Sequence, residues 1–144
     1  MTNKLSKEIR ILSKYISRFL NERCVDDTSI DLTGPQGLII AYLCDNNDKD
    51  VFQRDIEREF NIRRSTATGM LQNLENKGYI NREEVDFDAR LKKLVLSDKA
   101  KSLHQAISNS IEEVESQMLK DISEEEVAVF YTVINKMKEN LCKE

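Results

Sequence analysis

The chain has 144 residues, 33% of them charged, 40% apolar and 6% aromatic, with one proline, four glycines and a formal net charge of −4. That composition suits a helix-rich globular chain able to bury a core of its own, and it excludes collagen-like and disordered classes. The longest apolar run, Leu38 to Cys44, is too short to span a bilayer, and MTNKLSKEIR carries no signal-type apolar stretch, so a cytoplasmic protein with no membrane partner is expected.

In chain order, Leu5, Ile9, Leu12, Ile16, Phe19 and Leu20 recur at threes and fours and predict an amphipathic helix over about residues 4–24. The polar stretch DDTSID interrupts it. Thr33 then has the chemistry of an N-cap, with Pro35 in the first turn and Gln36 placed to close a capping box. The run LIIAYLC is apolar on every side, which puts this second helix at the centre of the core. DNNDKD at 45–50 reads as a loop. Phe52 to Phe60 is a further short helix, ended by Asn61, a residue that tolerates the left-handed conformation. The next stretch, RRSTATGMLQNLENKGYI from Arg63 to Ile80, sets Ala67, Met70, Leu71 and Leu74 on one stripe and stops at Lys77-Gly78. Residues 80–84 and 93–96 read as short strands joined through VDFDARL, a hairpin with an acidic-then-basic tip. Ser97 and Asp98 cap a long helix whose apolar positions are Ala100, Leu103, Ile107, Ile111, Val114 and Met118. Ser123 and Glu126 form another capping box. The last helix repeats Val127, Phe130, Ile134, Met137 and Leu141 at threes and fours, a coiled-coil-like seam. No internal repeat interrupts this order, and a single domain over 1–144 is expected.

The helix opened by Arg63 poses a question of charge. Surface helices ordinarily solvate their outer face with Lys and Glu, yet 100° steps from the apolar stripe place Ser65, Gly69, Gln72 and Asn76 opposite it, flanked by Thr66, Thr68 and Asn73. Short hydroxyls and amides read base edges, and a long acidic side chain there would be repelled by phosphate. Arg63 and Arg64 stand at the helix N-terminus, where backbone N–H groups and the dipole already favour phosphate. Charge counts agree in part. Residues 51–96 hold 9 Lys and Arg against 8 Asp and Glu, the only net-positive third, whereas residues 97–144 hold 6 against 10. The order of short helix, turn, second helix and hairpin is that of a winged helix-turn-helix, whose second helix enters the major groove of DNA. The fold class expected is mainly α with a small β-wing, flanked by N- and C-terminal helices.

Residues 32–100 resemble the winged helix-turn-helix of the multiple-antibiotic-resistance regulator (MarR) family, through LTGPQ at 32–36, RRSTATGMLQNLENKGYINR at 63–82 and DARLKKLVLSDKAK at 88–101. Residues 1–26 and 101–144 resemble that family's dimerisation arms. The resemblance implies a homodimeric transcription regulator, usually a repressor, that binds double-stranded DNA and is released by a small aromatic anion or by cysteine oxidation. By position, Asp88 is expected to hold Arg90 by a salt bridge and aim it into the minor groove, with Lys92 and Lys93 approaching phosphates. Leu5 and Ile9 in the first arm, with Val127, Phe130, Ile134, Met137 and Leu141 in the second, are the expected dimer interface. The family's usual Leu-Thr after the wing is Leu96-Ser97 here, and its usual glycine in the next turn is Ala100.

Two other classes compete. A winged helix that binds protein instead of DNA is favoured by the net charge and by the acidic Glu83 and Glu84. An enzyme has little to work with: one histidine, no nucleophile–base pair and no phosphate loop. Cys24, Cys44 and Cys142 lie far apart with no CxxC, so neither a disulfide framework nor a metal site is expected, and no cofactor. An effector pocket is expected between the first, second and post-wing helices, with Tyr15, Phe19, Tyr42 and His104 as candidates. The redox alternative rests on Cys24 beside Arg23, with Cys44 expected to be buried and inert.

Overall fold

The computed structural model describes residues 4–24 and 31–142, without the side chains of residues 23 and 24. Among the described residues the order is α1 (Leu5–Cys24), α2 (Gly34–Asp45), α3 (Gln53–Glu59), α4 (Arg64–Asn76), β1 (Ile80–Val85), β2 (Asp88–Leu96), α5 (Asp98–Met118) and α6 (Glu124–Leu141). They divide into two compact units between Ile111 and Glu112.

Local chemistry sets the helix ends in the first unit. At the start of α2, Thr33 Oγ1 accepts from the Gln36 amide at 3.4 Å, and Gln36 Oε1 accepts from the Thr33 amide at 3.2 Å, so the expected capping box is complete. Both α3 and α4 end in the pair of bonds that a left-handed residue permits. After α3, Asn61 has φ 47°, and the amides of Ile62 and Asn61 donate to the carbonyls of Glu57 and Arg58. After α4, Gly78 has φ 80°, and Tyr79 and Gly78 donate to Leu74 and Glu75. These two stops fix the angle at which α4 leaves α3 and the point at which the hairpin begins.

The core of this unit gathers Ile39, Ile40 and Leu43 of α2, Ile56 of α3, Leu71 and Leu74 of α4, Tyr79 and Ile80 at the start of β1, Leu94 and Leu96 of β2, and Ala100 and Ile107 of α5. Fully burying a side chain such as Leu71 stabilises by about 1.5–3 kcal/mol. The stripe predicted for α4 holds at Ala67, Leu71 and Leu74, with Met70 half-buried. Among the described side chains of α1 only Leu20 is buried, while Leu5, Ile9 and Leu12 are exposed.

β1 and β2 pair antiparallel from Ile80 opposite Leu96 to Val85 opposite Asp88, with an irregularity after Glu84. The second strand is longer than the sequence suggested: it begins at Asp88, so Asp88 to Leu91 belong to the strand, Ala89 to Leu91 lying in the register shift, and the turn shrinks to Asp86 and Phe87. The Leu94 amide donates to Val51 O at 2.7 Å, which ties the segment before α3 to β2.

In the second unit, α6 opens with the expected capping box, Ser123 Oγ accepting from the Glu126 amide and Glu126 Oε2 from the Ser123 amide. No residue of α6 is buried; Phe130 and Leu141 are exposed, and Val127, Ile134 and Met137 half-buried.

Candidate nucleic-acid interface

Helix α4 presents Arg64, Ser65, Thr66, Thr68, Gly69, Gln72 and Asn73 outward, all exposed, with Arg63 exposed just before the first turn. No hydrogen bond is formed by the side chains of Ser65, Thr66 or Gln72 among the described residues. Two others are held from behind, which the sequence did not show. Gln53 Nε2 of α3 donates to Thr68 Oγ1 at 2.9 Å, and Thr68 Oγ1 donates to the Arg64 carbonyl at 2.8 Å. With that hydroxyl engaged on both sides, what Thr68 chiefly keeps for a partner is its methyl. Gln36, 6% exposed, donates from Nε2 to Asn73 Oδ1 at 2.8 Å. Beyond the backbone of α4 itself, a Cβ at Gly69 would meet nothing within 4 Å among the described residues, so packing among them does not explain a glycine there.

Beside the N-terminal half of α4 lies a groove of about 430 Å³ lined by Arg54, Arg64, Arg82, Arg90 and Lys92, with Glu57 as its one carboxylate. Sequence reasoning did not single out Arg54 or Arg82. Arg54 lies over the Phe52 ring at 5.3 Å, and Arg82 Nε donates to Glu75 Oε2 at 2.9 Å. At the wing tip Asp88 Oδ1 accepts from the Arg90 amide at 2.9 Å and from Arg90 Nε at 3.3 Å, leaving the Arg90 side chain 91% exposed. Lys93 does not share this surface: Nζ lies 3.7 Å from Asp50 Oδ1, beside a separate cleft. Neighbouring strand residues point to opposite faces, so Lys92 and Lys93 leave the wing on different sides. The acidic first strand is offset by register, with Glu84 opposite Lys92 and Glu83 opposite Lys93.

The four candidate pocket residues do not come together. Tyr15 is 60% exposed under Arg18, Phe19 is half-buried, and Tyr42 packs edge-on to Phe60 at 6.0 Å. His104 lines the cleft of about 450 Å³ beside Lys93. Where α1, α2 and α5 meet, between Leu20, Leu38 and Ile107, there is only an apolar crevice of about 30 Å³. Cys44 is half-buried, not fully buried, and lines the larger cleft; burial, then the neighbouring Asp45, pushes its thiol pKa up. The Cys24 side chain lies outside the described residues. Among the described residues no cluster of His, Cys, Asp and Glu could hold a metal ion, and no helix is long and apolar enough to cross a membrane.

A helix-turn-helix followed by a charged two-stranded wing defines a winged helix-turn-helix protein. The MarR family model matches residues 30–91, and a transcription regulator MarR from Oenococcus oeni PSU-1 is 35% identical, with 94% of this chain and 99% of that chain covered and a TM-score of 0.77. The chain belongs to the MarR family of transcription regulators. MepR of S. aureus, crystallised as a DNA complex, is 25% identical, with 96% of each chain covered and a TM-score of 0.84. YdgJ of Bacillus subtilis (strain 168), an uncharacterized HTH-type transcriptional regulator, is 26% identical over 138 residues, which is 94% of this chain and 82% of that protein.

Proposed function

We propose that the chain acts as a homodimeric repressor on a pseudo-palindromic operator in double-stranded DNA, with α4 in the major groove and the wing beside the backbone. One observation carries the reading: the exposed face of α4 is small, hydrogen-bonding and free of carboxylates through Asn73, and it is bordered by the arginine-lined groove. The DNA complex of the similar MepR supports it. In this reading Ser65, Thr66, Thr68, Gly69, Gln72 and Asn73 face base edges. Arg63, Arg64, Arg90 and Lys92 supply phosphate contacts, joined by Arg54 and Arg82; Lys93 drops out because it faces Asp50. The helices flanking the DNA-binding region, α1 on one side and α5 and α6 on the other, act as dimerisation arms.

Binding-site selection with purified protein tests this. The expected product is a pseudo-palindrome with half-sites about one helical turn, roughly 10 base pairs, or a multiple apart. A protein that enriches no sequence and has no salt-dependent affinity for duplex DNA would instead be a winged helix that binds protein. For release by an aromatic effector, the crevice among α1, α2 and α5 has to open. Protection of Leu38 and Ile107 on titration with an aromatic anion checks that part, and no perturbation there rejects it.

A further inference from the structure

We infer that Gln36, buried behind the recognition face, fixes the polarity of Asn73, so that Asn73 offers DNA its N–H edge and not its carbonyl edge. The inference rests on the proposed DNA-binding role of α4. The Thr33 backbone amide can only donate, and it donates to Gln36 at 3.2 Å, so the Gln36 atom facing it is the carbonyl Oε1. The other end of the Gln36 amide is therefore Nε2, a donor. It lies 2.8 Å from Asn73, whose facing atom must accept and is Oδ1. One backbone donor thus sets the orientation of two amides in sequence. Gln36 is held in place by burial at 6% exposure and by the capping box, whereas Asn73 is exposed on α4.

The consequence concerns specificity. An asparagine pairs bidentately with adenine by accepting from N6 and donating to N7, which needs both edges. Here Gln36 takes one of the two lone pairs of Oδ1 and holds the carbonyl turned toward itself, so the N–H edge is the one turned to DNA. Asn73 faces DNA as a donor, and its partner is an acceptor: guanine O6 or N7, adenine N7, thymine O4, or a phosphate oxygen. Gln36 touches no base in this scheme; it is a positioning residue acting through Asn73.

Two experiments test the relay. In the free wild-type protein, side-chain amide NMR should show the Gln36 NH₂ protected from solvent exchange and the Asn73 NH₂ exchanging freely; the reverse pattern overturns the inference. The second experiment is binding-site selection with wild type and Gln36→Glu, folding being checked by thermal melting. A glutamate keeps the acceptor for Thr33 but loses the donor, so Asn73 must turn and present its carbonyl. If Asn73 faces a base, discrimination at one symmetric position should turn against guanine and thymine, which only accept, and toward the donors adenine N6 and cytosine N4, by on the order of tenfold. If it faces a phosphate, affinity should fall about equally for all sequences, with base preference intact. A moved preference supports the relay; a uniform loss supports it only if the uncharged Gln36→Met shows the same loss, because the glutamate charge alone repels phosphate. Should Gln36→Glu not fold, Gln36→Met removes both donor and acceptor at similar size and should relax the preference at that position or weaken all sequences alike. A wild type that selects no duplex overturns the DNA-binding reading and this inference with it. A selective wild type whose Gln36 variants keep both its preference and its affinity overturns this inference alone.

Discussion

Gly69 sits mid-helix on the exposed face of α4, where glycine is less stable than alanine by roughly 0.5–1 kcal/mol. Beyond its chain neighbours and its own helix backbone, nothing among the described residues lies within 4 Å of a Cβ placed there. Gly69→Ala should therefore raise stability by about that amount in denaturant titration, and it should weaken operator binding if DNA approaches the bare backbone. A variant that is both more stable and equally tight means the glycine serves no close approach. Gln72 makes the complementary case. It is exposed, with no hydrogen-bond partner among the described residues, so Gln72→Ala should leave the melting temperature nearly unchanged. It should cost about 1–3 kcal/mol of base discrimination at one symmetric position, read from selection profiles against wild type. Cys44 differs in kind. Burial raises its thiol pKa, with Asp45 adding to the shift, so near neutral pH it stays protonated. Alkylation at pH 7–8, followed by peptide mass spectrometry, should therefore label the exposed Cys142 well before Cys44. At this scale the α4 face was legible because 100° steps need only the local sequence. The ties from Gln36 to Asn73 and from Gln53 to Thr68 were not, since residues on separate helices meet only through packing.

Elements were legible where a local rule ends them. Asn61 and Gly78 mark the stops of α3 and α4 because a left-handed residue leaves its own signature, and Thr33-Gln36 and Ser123-Glu126 mark the starts of α2 and α6. The start of β2 was missed because Asp88-Ala89-Arg90 is polar and sits at the wing tip, where no buried face imposes an alternating pattern. Arg54 and Arg82 escaped notice for another reason. Arg54 lies before the 63–82 motif and Arg82 is its last residue, on β1 and off the α4 face, and only the packing of α3 and β1 beside α4 brings them to one groove. Register also changes how the wing's charge is read. Glu84 opposite Lys92 makes a cross-strand pair, so the hairpin is less acidic in effect than its first strand suggests. Arg90, 91% exposed and held by Asp88, remains free to meet a partner. The exposed pair itself contributes under about 1 kcal/mol to stability. Arg90→Ala should therefore melt like wild type and lower the salt slope of DNA binding by about one unit if it meets phosphate. If the guanidinium enters a minor groove, preference for A·T at the flanks should relax as well. Unchanged affinity and slope would remove the wing from the interface.

The whole molecule raises the question of what its uncovered apolar faces are for. In one unit α1 leaves Leu5, Ile9, Leu12 and Tyr15 exposed; in the other α6 buries none of its residues, and Val129, Phe130, Tyr131, Val133 and Leu141 stand open. Contiguous apolar surface of this kind marks an interaction site more often than a free surface. A second copy is the simplest occupant, because a two-fold axis lets one patch pair with its equivalent and gives two α4 helices the symmetry of a palindromic operator. Dimerisation and tight operator binding should then fail together. Phe130→Glu places a charge on the seam at a position 53% exposed in the single chain, so the fold of the chain should survive while the pairing does not. Sedimentation should show the wild type at twice the chain mass and the variant at the chain mass, with matching far-UV circular dichroism. Linking two half-site contacts raises affinity by on the order of 10²–10⁴ over one alone. The variant should lose about that much on the full operator and little on an isolated half-site. A variant that stays dimeric shows that the α6 seam is not the interface. A monomer that keeps full operator affinity shows that the symmetric reading of the two recognition helices is wrong.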